Sequence, residues 1–327
     1  MKAWQTILIA AVVATMVVIA GTIAYVDLNA RTTLRISTTT SLFDTGLLDA
    51  VKAEYEASHQ VTLQIVEQGT GLALASASAG DADVVLVHSP SQEYPYLANG
   101  TLVCRKIIAW NYFAIIGPAS DPAKITGENA TQALQSIVAY GGNQTLGTIV
   151  WVSRNDGSGT FTKEQSLWKA AGYNWTQVSG EPWYAYTGTG MADTLNVAYQ
   201  KNAYILSDLG TYLALFRAGT ISSKALISGG KSLLNVYSAY AVNPQKISSA
   251  KFDQAITFIE WLISPTGQNV ISTFGEANYS QSLFYGAVQA LKDNAPQPDV
   301  SWIQDYAFFN GTECPVQYQA NQTQLYQ

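Results

Sequence analysis

Charge and reactive side chains are both scarce in this chain. Of its 327 residues, 17 are basic and 23 acidic, for a net charge of -6. A nucleic-acid surface needs a basic stripe, and none can be drawn from so few cations. The two histidines, His59 and His88, and the two distant cysteines, Cys104 and Cys314, are too few for a zinc or redox cluster. The G-x-x-x-x-G-K-[ST] pattern of a nucleotide-phosphate loop is missing. Ser41 has no evident Ser-His-Asp partners. These absences point away from an enzyme and call for no cofactor.

What is present begins with an export signal. Lys2 precedes an apolar run of 19 residues, Ile7 to Tyr25. That run is long for a signal-peptide core and close to a spanning helix. Residues 1–31 are therefore expected to be a cleaved signal or a membrane anchor; either places the rest outside the cytoplasmic membrane. Leu28 fits an A-x-A cleavage site poorly, and no lipobox cysteine follows. Asn143, Asn174, Asn278 and Asn321 each open an N-glycosylation pattern, so some are expected to carry glycans. An oxidising exterior permits a Cys104–Cys314 disulfide tying the C-terminal tail to the body; the alternative is one buried thiol and one exposed.

Pattern predicts alternating strands and helices. Leu34 to Ser37 reads as a strand, Thr38 to Asp44 as a turn, and Gly46 to Ala57 as a helix with Leu47, Leu48, Val51 and Tyr55 on one face. Val61 to Val66 and Asp83 to Val87 continue as strands, with a small-residue helix from Leu72 to Ala79 between them. This β-α-β-α order predicts a doubly wound α/β layer. Two extended stretches, Ile107 to Gly117 and Asn235 to Val242, bracket a central block. They predict two lobes joined by two hinge crossings: 32–113 with 236–290, and 114–235. Residues 291–327 form a C-terminal extension expected to wrap the body. No internal repeat stands out.

Four short Gly/Ser/Thr motifs are each poised to open a helix: Ser37–Ser41, Gly69-Thr70-Gly71, Ser153–Thr160 and Gly188-Thr189-Gly190. Helix N-termini offer free N–H groups and the positive end of a dipole, and hydroxyls rotate to suit a ligand. Capping explains about one hydroxyl of the first run, not four. Arg154 follows an apolar strand directly, and its planar fork suits two oxygens of an anion. Asp156 either orients Arg154, forms a surface ion pair with it, or caps the next helix. Asp208, at another strand-to-helix turn, reads as a cap. His59 reads as part of a solvated turn; His88 either lines the cleft or is a satisfied edge histidine. Together the motifs describe a pocket for a small oxyanion.

With Thr38-Thr39-Thr40-Ser41, Asp44-Thr45-Gly46-Leu47-Leu48, Gly69-Thr70-Gly71, Asp81–His88, Ser153–Thr160, Gly188–Met191, Thr194–Asn196 and Ser207–Tyr212 in this order, residues 33–290 resemble the tungstate-binding proteins of tungstate ABC transporters. The resemblance implies a two-lobed type II periplasmic-binding-protein fold that closes on tungstate or molybdate and delivers it to a membrane permease. By motif, the ligand-binding residues would be Thr39, Thr40, Ser41, Thr70, Arg154, Ser158, Thr160 and Thr189. Phe161 stands where the family often has histidine, and the C-terminal extension lies outside the family pattern. A receptor of this kind is expected to be monomeric. A second reading is a cell-surface structural or filament subunit built on a binding-protein body, with assembly through the tail.

Overall fold

The structure, a computed structural model, describes residues 15–16, 31–293 and 298–327. All but two residues of the run from Ile7 to Tyr25, and with them the expected signal or anchor, lie outside the described residues. Among those described, no helix is long and apolar enough to cross a membrane.

From residue 32 on, the chain alternates strands and helices. Strand β1 (Thr32–Thr39) turns into the short helix α1 (Thr40–Phe43), then α2 (Leu47–Ser58), β2 (Val61–Gln68), α3 (Thr70–Ala79), β3 (Val84–Val87), α4 (Pro90–Ala98) and β4 (Leu102–Gly117). Helix α2 buries Leu47, Leu48, Val51 and Tyr55, the face its spacing predicts. Each such side chain contributes about 1.5–3 kcal/mol when fully buried. Helix α5 (Ala130–Gly141), β5 (Trp151–Ser153), α6 (Gly159–Ala170), α7 (Trp175–Val178) and β6 (Tyr184–Tyr186) follow. Next come α8 (Met191–Gln200), β7 (Ile205–Asp208), α9 (Leu209–Arg217), β8 (Lys224–Ser228) and β9 (Leu234–Val242). The chain ends through α10 (Phe252–Ile263), α11 (Pro265–Thr273), α12 (Glu276–Tyr279), β10 (Tyr285–Gly286), α13 (Ala287–Asp293) and α14 (Pro298–Ala307).

The main sheet runs β10-β4-β9-β3-β1-β2. Strands β1, β2 and β3 are parallel, as the β-α-β order predicts. The other half differs: β9 runs antiparallel to both β3 and β4. The sheet is mixed because β9 lies between β3 and β4 and runs against both, and β10 runs against β4.

Strand β4 serves two neighbourhoods. Residues Leu102 to Tyr112 pair with β9, whereas Phe113 to Gly117 pair with β7 and β8. Apolar packing divides at the same place. One cluster joins β1, β2, α2 and α10 around Leu34, Ile36, Val51 and Phe258. Another joins α5, α6 and β5 around Phe113, Ile137, Trp151 and Trp168. We call these the outer and central blocks.

The C-terminal residues pack on the body. Ile303 and Ala307 of α14 cover Ile107, Leu234 and Val236. The Glu313 carboxylate accepts from Lys106 Nζ at 2.7 Å, and the Tyr326 hydroxyl donates to the Arg105 carbonyl at 3.0 Å. Cys104 and Cys314 are both free and both buried, which corrects both readings of the pair. Cys104 has a positive φ of 55° beside an irregularity in β4, and its thiol donates to the Gln319 carbonyl at 3.2 Å. Burial pushes it up to about 12, so it is no ready nucleophile. Asn143, Asn174, Asn278 and Asn321 are exposed.

Candidate oxyanion site

The site forms where four strand-to-helix turns meet. At the end of β1, Thr39 and Ser41 are buried, with their hydroxyls 3.1 Å apart. Thr38, in contrast, points back into the sheet and donates to the Leu86 carbonyl. Thr70 begins α3 and is fully buried. From the central block, Arg154 leaves β5, Ser158 caps α6, and Thr160 lies in its first turn. All three are buried.

The two blocks touch here through backbone. A Cβ at Gly69 would stand 3.5 Å from the Ser158 Cα, and one at Gly71 3.3 Å from the Gly157 carbonyl. Gly159 is tighter still: a Cβ there would fall 2.9 Å from both Thr70 Oγ1 and His88 Nε2. Only glycine lets the α6 N-terminus come this close to α3. Arg154 also spans the junction, donating through Nη1 to Thr40 Oγ1 at 3.2 Å. Its Nε and Nη2 hold Asp156, whose other oxygen accepts from the Ser158 amide at 3.2 Å. Asp156 thus orients the arginine and braces the turn. Since Arg154 is only 3% exposed, this is not the surface ion pair that was the alternative. Its remaining N–H groups are available to an anion.

Two hydroxyls decide the character of the site. Thr70 Oγ1 and Thr160 Oγ1 are buried without any hydrogen-bond partner. Leaving a buried hydroxyl unpaired costs about 1–3 kcal/mol. Both sit at helix N-termini that face each other beside Gly159. Ser158 accepts from the Phe161 amide, which leaves its proton free to donate. Thr189 stands apart: it is exposed, and its hydroxyl is 3.4 Å from that of Thr194. The neighbouring Gly190 approaches Thr40 instead.

His88 lines the cleft, and a chain of amides fixes its proton. Asn111 Nδ2 donates to the Leu283 carbonyl, so Asn111 Oδ1 accepts from Asn235 Nδ2. Asn235 Oδ1 then accepts from His88 Nδ1 at 2.7 Å, and His88 Nε2 carries a lone pair. That nitrogen is 3.4 Å from the Ser41 hydroxyl. Burial brings His88 down to about 4, so the ring stays neutral. His88 thus brings an acceptor nitrogen to the Ser41 side of the site.

Two carboxylates, Asp44 and Asp208, lie within electrostatic reach of Arg154. Asp208 caps α9, accepting from the Thr211 amide and hydroxyl at 2.8 Å each. Asp44 is lifted to about 6, first by loss of water and then by the Asp208 carboxylate, with Arg154 opposing. Behind the site, Glu164 of α6 is buried and accepts from Trp151, Trp168, Tyr184 and Ser153 at 2.6–3.1 Å. This residue carries no sequence signal, yet it pins α6 against β5 and β6. Phe161 packs edge-on against Trp175.

Residues 24–266 match the family model of the PBP superfamily domain. The chain belongs to that superfamily. A Haloferax volcanii protein described as an ABC transporter anion-binding protein is 40% identical over 78% of this chain and 72% of its own. The tungstate-binding protein TupA of Campylobacter jejuni is 37% identical over 76% of this chain and 89% of its own. The solved structure of TupA from Desulfovibrio alaskensis superposes with a TM-score of 0.65 at 36% identity, covering 78% of this chain and 98% of that one.

Proposed function

We propose that this chain is an extracellular receptor that captures tungstate or molybdate between two lobes and delivers it to an ABC transporter permease. It acts by binding, not by catalysis. The lobes are 32–113 with 236–290, and 114–235. Strand β4 crosses between them near Tyr112, and the chain returns at β9. The split of the apolar cores at these strands supports this division. The carrying observation is the pair of buried, unpartnered hydroxyls, Thr70 and Thr160, at the N-termini of α3 and α6, which meet at Gly159.

The anion would take donors from Thr39, Thr40, Ser41 and Thr70 on one lobe and from Arg154, Ser158 and Thr160 on the other, with Thr189 at the rim. An ion that bridges both lobes favours the closed form by its differential affinity for it. Loss of water in the closed cleft strengthens each bond. The run from Ile7 to Tyr25 would hold the receptor at the membrane or direct its secretion, and the receptor would work as a monomer. Calorimetric titration with tungstate, molybdate, sulfate and phosphate tests the reading. It predicts one-to-one tungstate binding tighter than about 1 μM, near -8 kcal/mol, with little response to sulfate. No heat with any of the four would reject it.

A further inference from the structure

A separate cavity lies about one helical turn along α6 from the cleft. Its volume is about 210 Å³, and its lining includes Ser89, Ser91, Thr162, Ser166, Lys163 and Tyr306. Three separate parts of the chain build it: the α4 N-terminus, α6, and the C-terminal extension.

Lys163 is the unusual member. It is only 6% exposed, and no carboxylate lies within ion-pair distance of it among the described residues. Its ammonium donates to the Leu234 carbonyl at 3.1 Å and stands 4.3 Å from the Tyr306 ring centroid. One carbonyl and two aromatic rings, Tyr306 and, at 5.8 Å, Phe113, under-compensate a buried cation. Burial accordingly brings Lys163 down to about 8. Helix α4 adds the positive end of its dipole, and the Ser89 hydroxyl is not used as its cap. The buried carboxylate in the first turn of α4, Glu93, is taken by Arg105, the Tyr240 hydroxyl and the Ser89 amide.

We propose that this cavity is a second anion site, which takes a small monovalent anion, a halide or a short carboxylate, between Lys163, the α4 N-terminus and Tyr306. A single ammonium with hydroxyls, and no arginine fork, suits one negative charge better than two. The volume accommodates chloride or acetate with a few waters, each of about 30 Å³. Because its walls come from both lobes and the extension, the bound anion fastens all three together. Its occupancy and closure of the oxyanion cleft then reinforce each other.

The test is chloride NMR line broadening on the full chain, previously saturated with tungstate so that the cleft is filled. Excess broadening is expected in the wild type and in Arg154→Ala, and is lost in Lys163→Met. Ser166→Asp, an exposed position on α6, places a carboxylate beside Lys163; it is expected to abolish the broadening and raise Tm. This variant decides the matter if Lys163→Met fails to fold. Sodium acetate that erases the broadening identifies a site open to carboxylates, and acetate without effect identifies a halide site. If chloride shows no excess broadening, acetate is titrated by calorimetry on the same tungstate-filled protein. Absence of both signals, or broadening that survives both Lys163 and Ser166 variants, overturns the proposal. The readout does not depend on which oxyanion fills the cleft: without tungstate binding, the comparison of Arg154→Ala with Lys163→Met still separates the two sites.

Discussion

One turn of α6 separates two opposite ways of burying a polar group. Glu164 accepts four hydrogen bonds from two indoles, a phenol and a hydroxyl. Thr160, four residues earlier on the same helix, makes none through its hydroxyl. The first arrangement is complete and holds the helix in place. The second is incomplete, and Thr70, at the helix N-terminus that meets it across the junction of the two blocks, is equally unpaired. Stability and binding are therefore written in different residues of one element. Glu164 supports the platform, and the hydroxyls at its tip stay uncommitted at a cost to the free protein.

The sharpest way to break this contrast is to remove the complete side. Glu164→Ala strands four buried donors and is expected to lower stability by about 3 kcal/mol or more, read by urea unfolding. A loss under about 1 kcal/mol would mean the network carries little. Next comes the charge: Arg154→Ala should weaken tungstate binding by at least about 1.5 kcal/mol, roughly tenfold, at the low end for a charged hydrogen bond. Unchanged affinity by calorimetry would remove Arg154 from the site. Gly159→Ala probes closure. Its methyl would meet His88 and Thr70 at 2.9 Å, so affinity should fall about tenfold while the chain stays folded by circular dichroism.

The smallest effect concerns pH. Asp44, held at about 6, is charged at pH 8 and repels an incoming anion near Arg154. Its folded value lies above the usual carboxylate value, so it gains a proton as pH falls through about 6. Tungstate affinity should therefore rise a few-fold from pH 8 to pH 5.5. Asp44→Asn should bind more tightly at pH 8, and the gain should vanish toward pH 5.5. A parallel pH dependence in both proteins would exclude Asp44 as the source. His88, held at about 4, stays neutral across this window and adds no slope.

Local pattern carried the turns well, because a strand followed by Gly, Ser or Thr and then by a helical apolar period is a local signal. The face of α2, the presence of helix α3, the parallel β1–β3 core and the cap at Asp208 were legible in this way. What pattern could not supply was burial and long-range pairing. Gly188-Thr189-Gly190 reads like Gly69-Thr70-Gly71, yet Thr189 is exposed and Thr70 fully buried. Helix α4 escaped notice because Pro95 lies inside it. Glu164 looked like any charged helix residue, and the amides that set the His88 tautomer lie on strands distant in sequence. The mixed direction of the sheet depends on β4 lying beside β9, which no local period encodes.

The most direct test of the account joins both readouts in one variant, Thr70→Val with Thr160→Val. Replacing two unpaired hydroxyls by methyls of the same shape should leave unfolding stability unchanged or raise it by about 1 kcal/mol. Calorimetric affinity for tungstate should fall at least tenfold. Affinity equal to wild type would show that these hydroxyls are not held in reserve for the anion, and the central claim would fail.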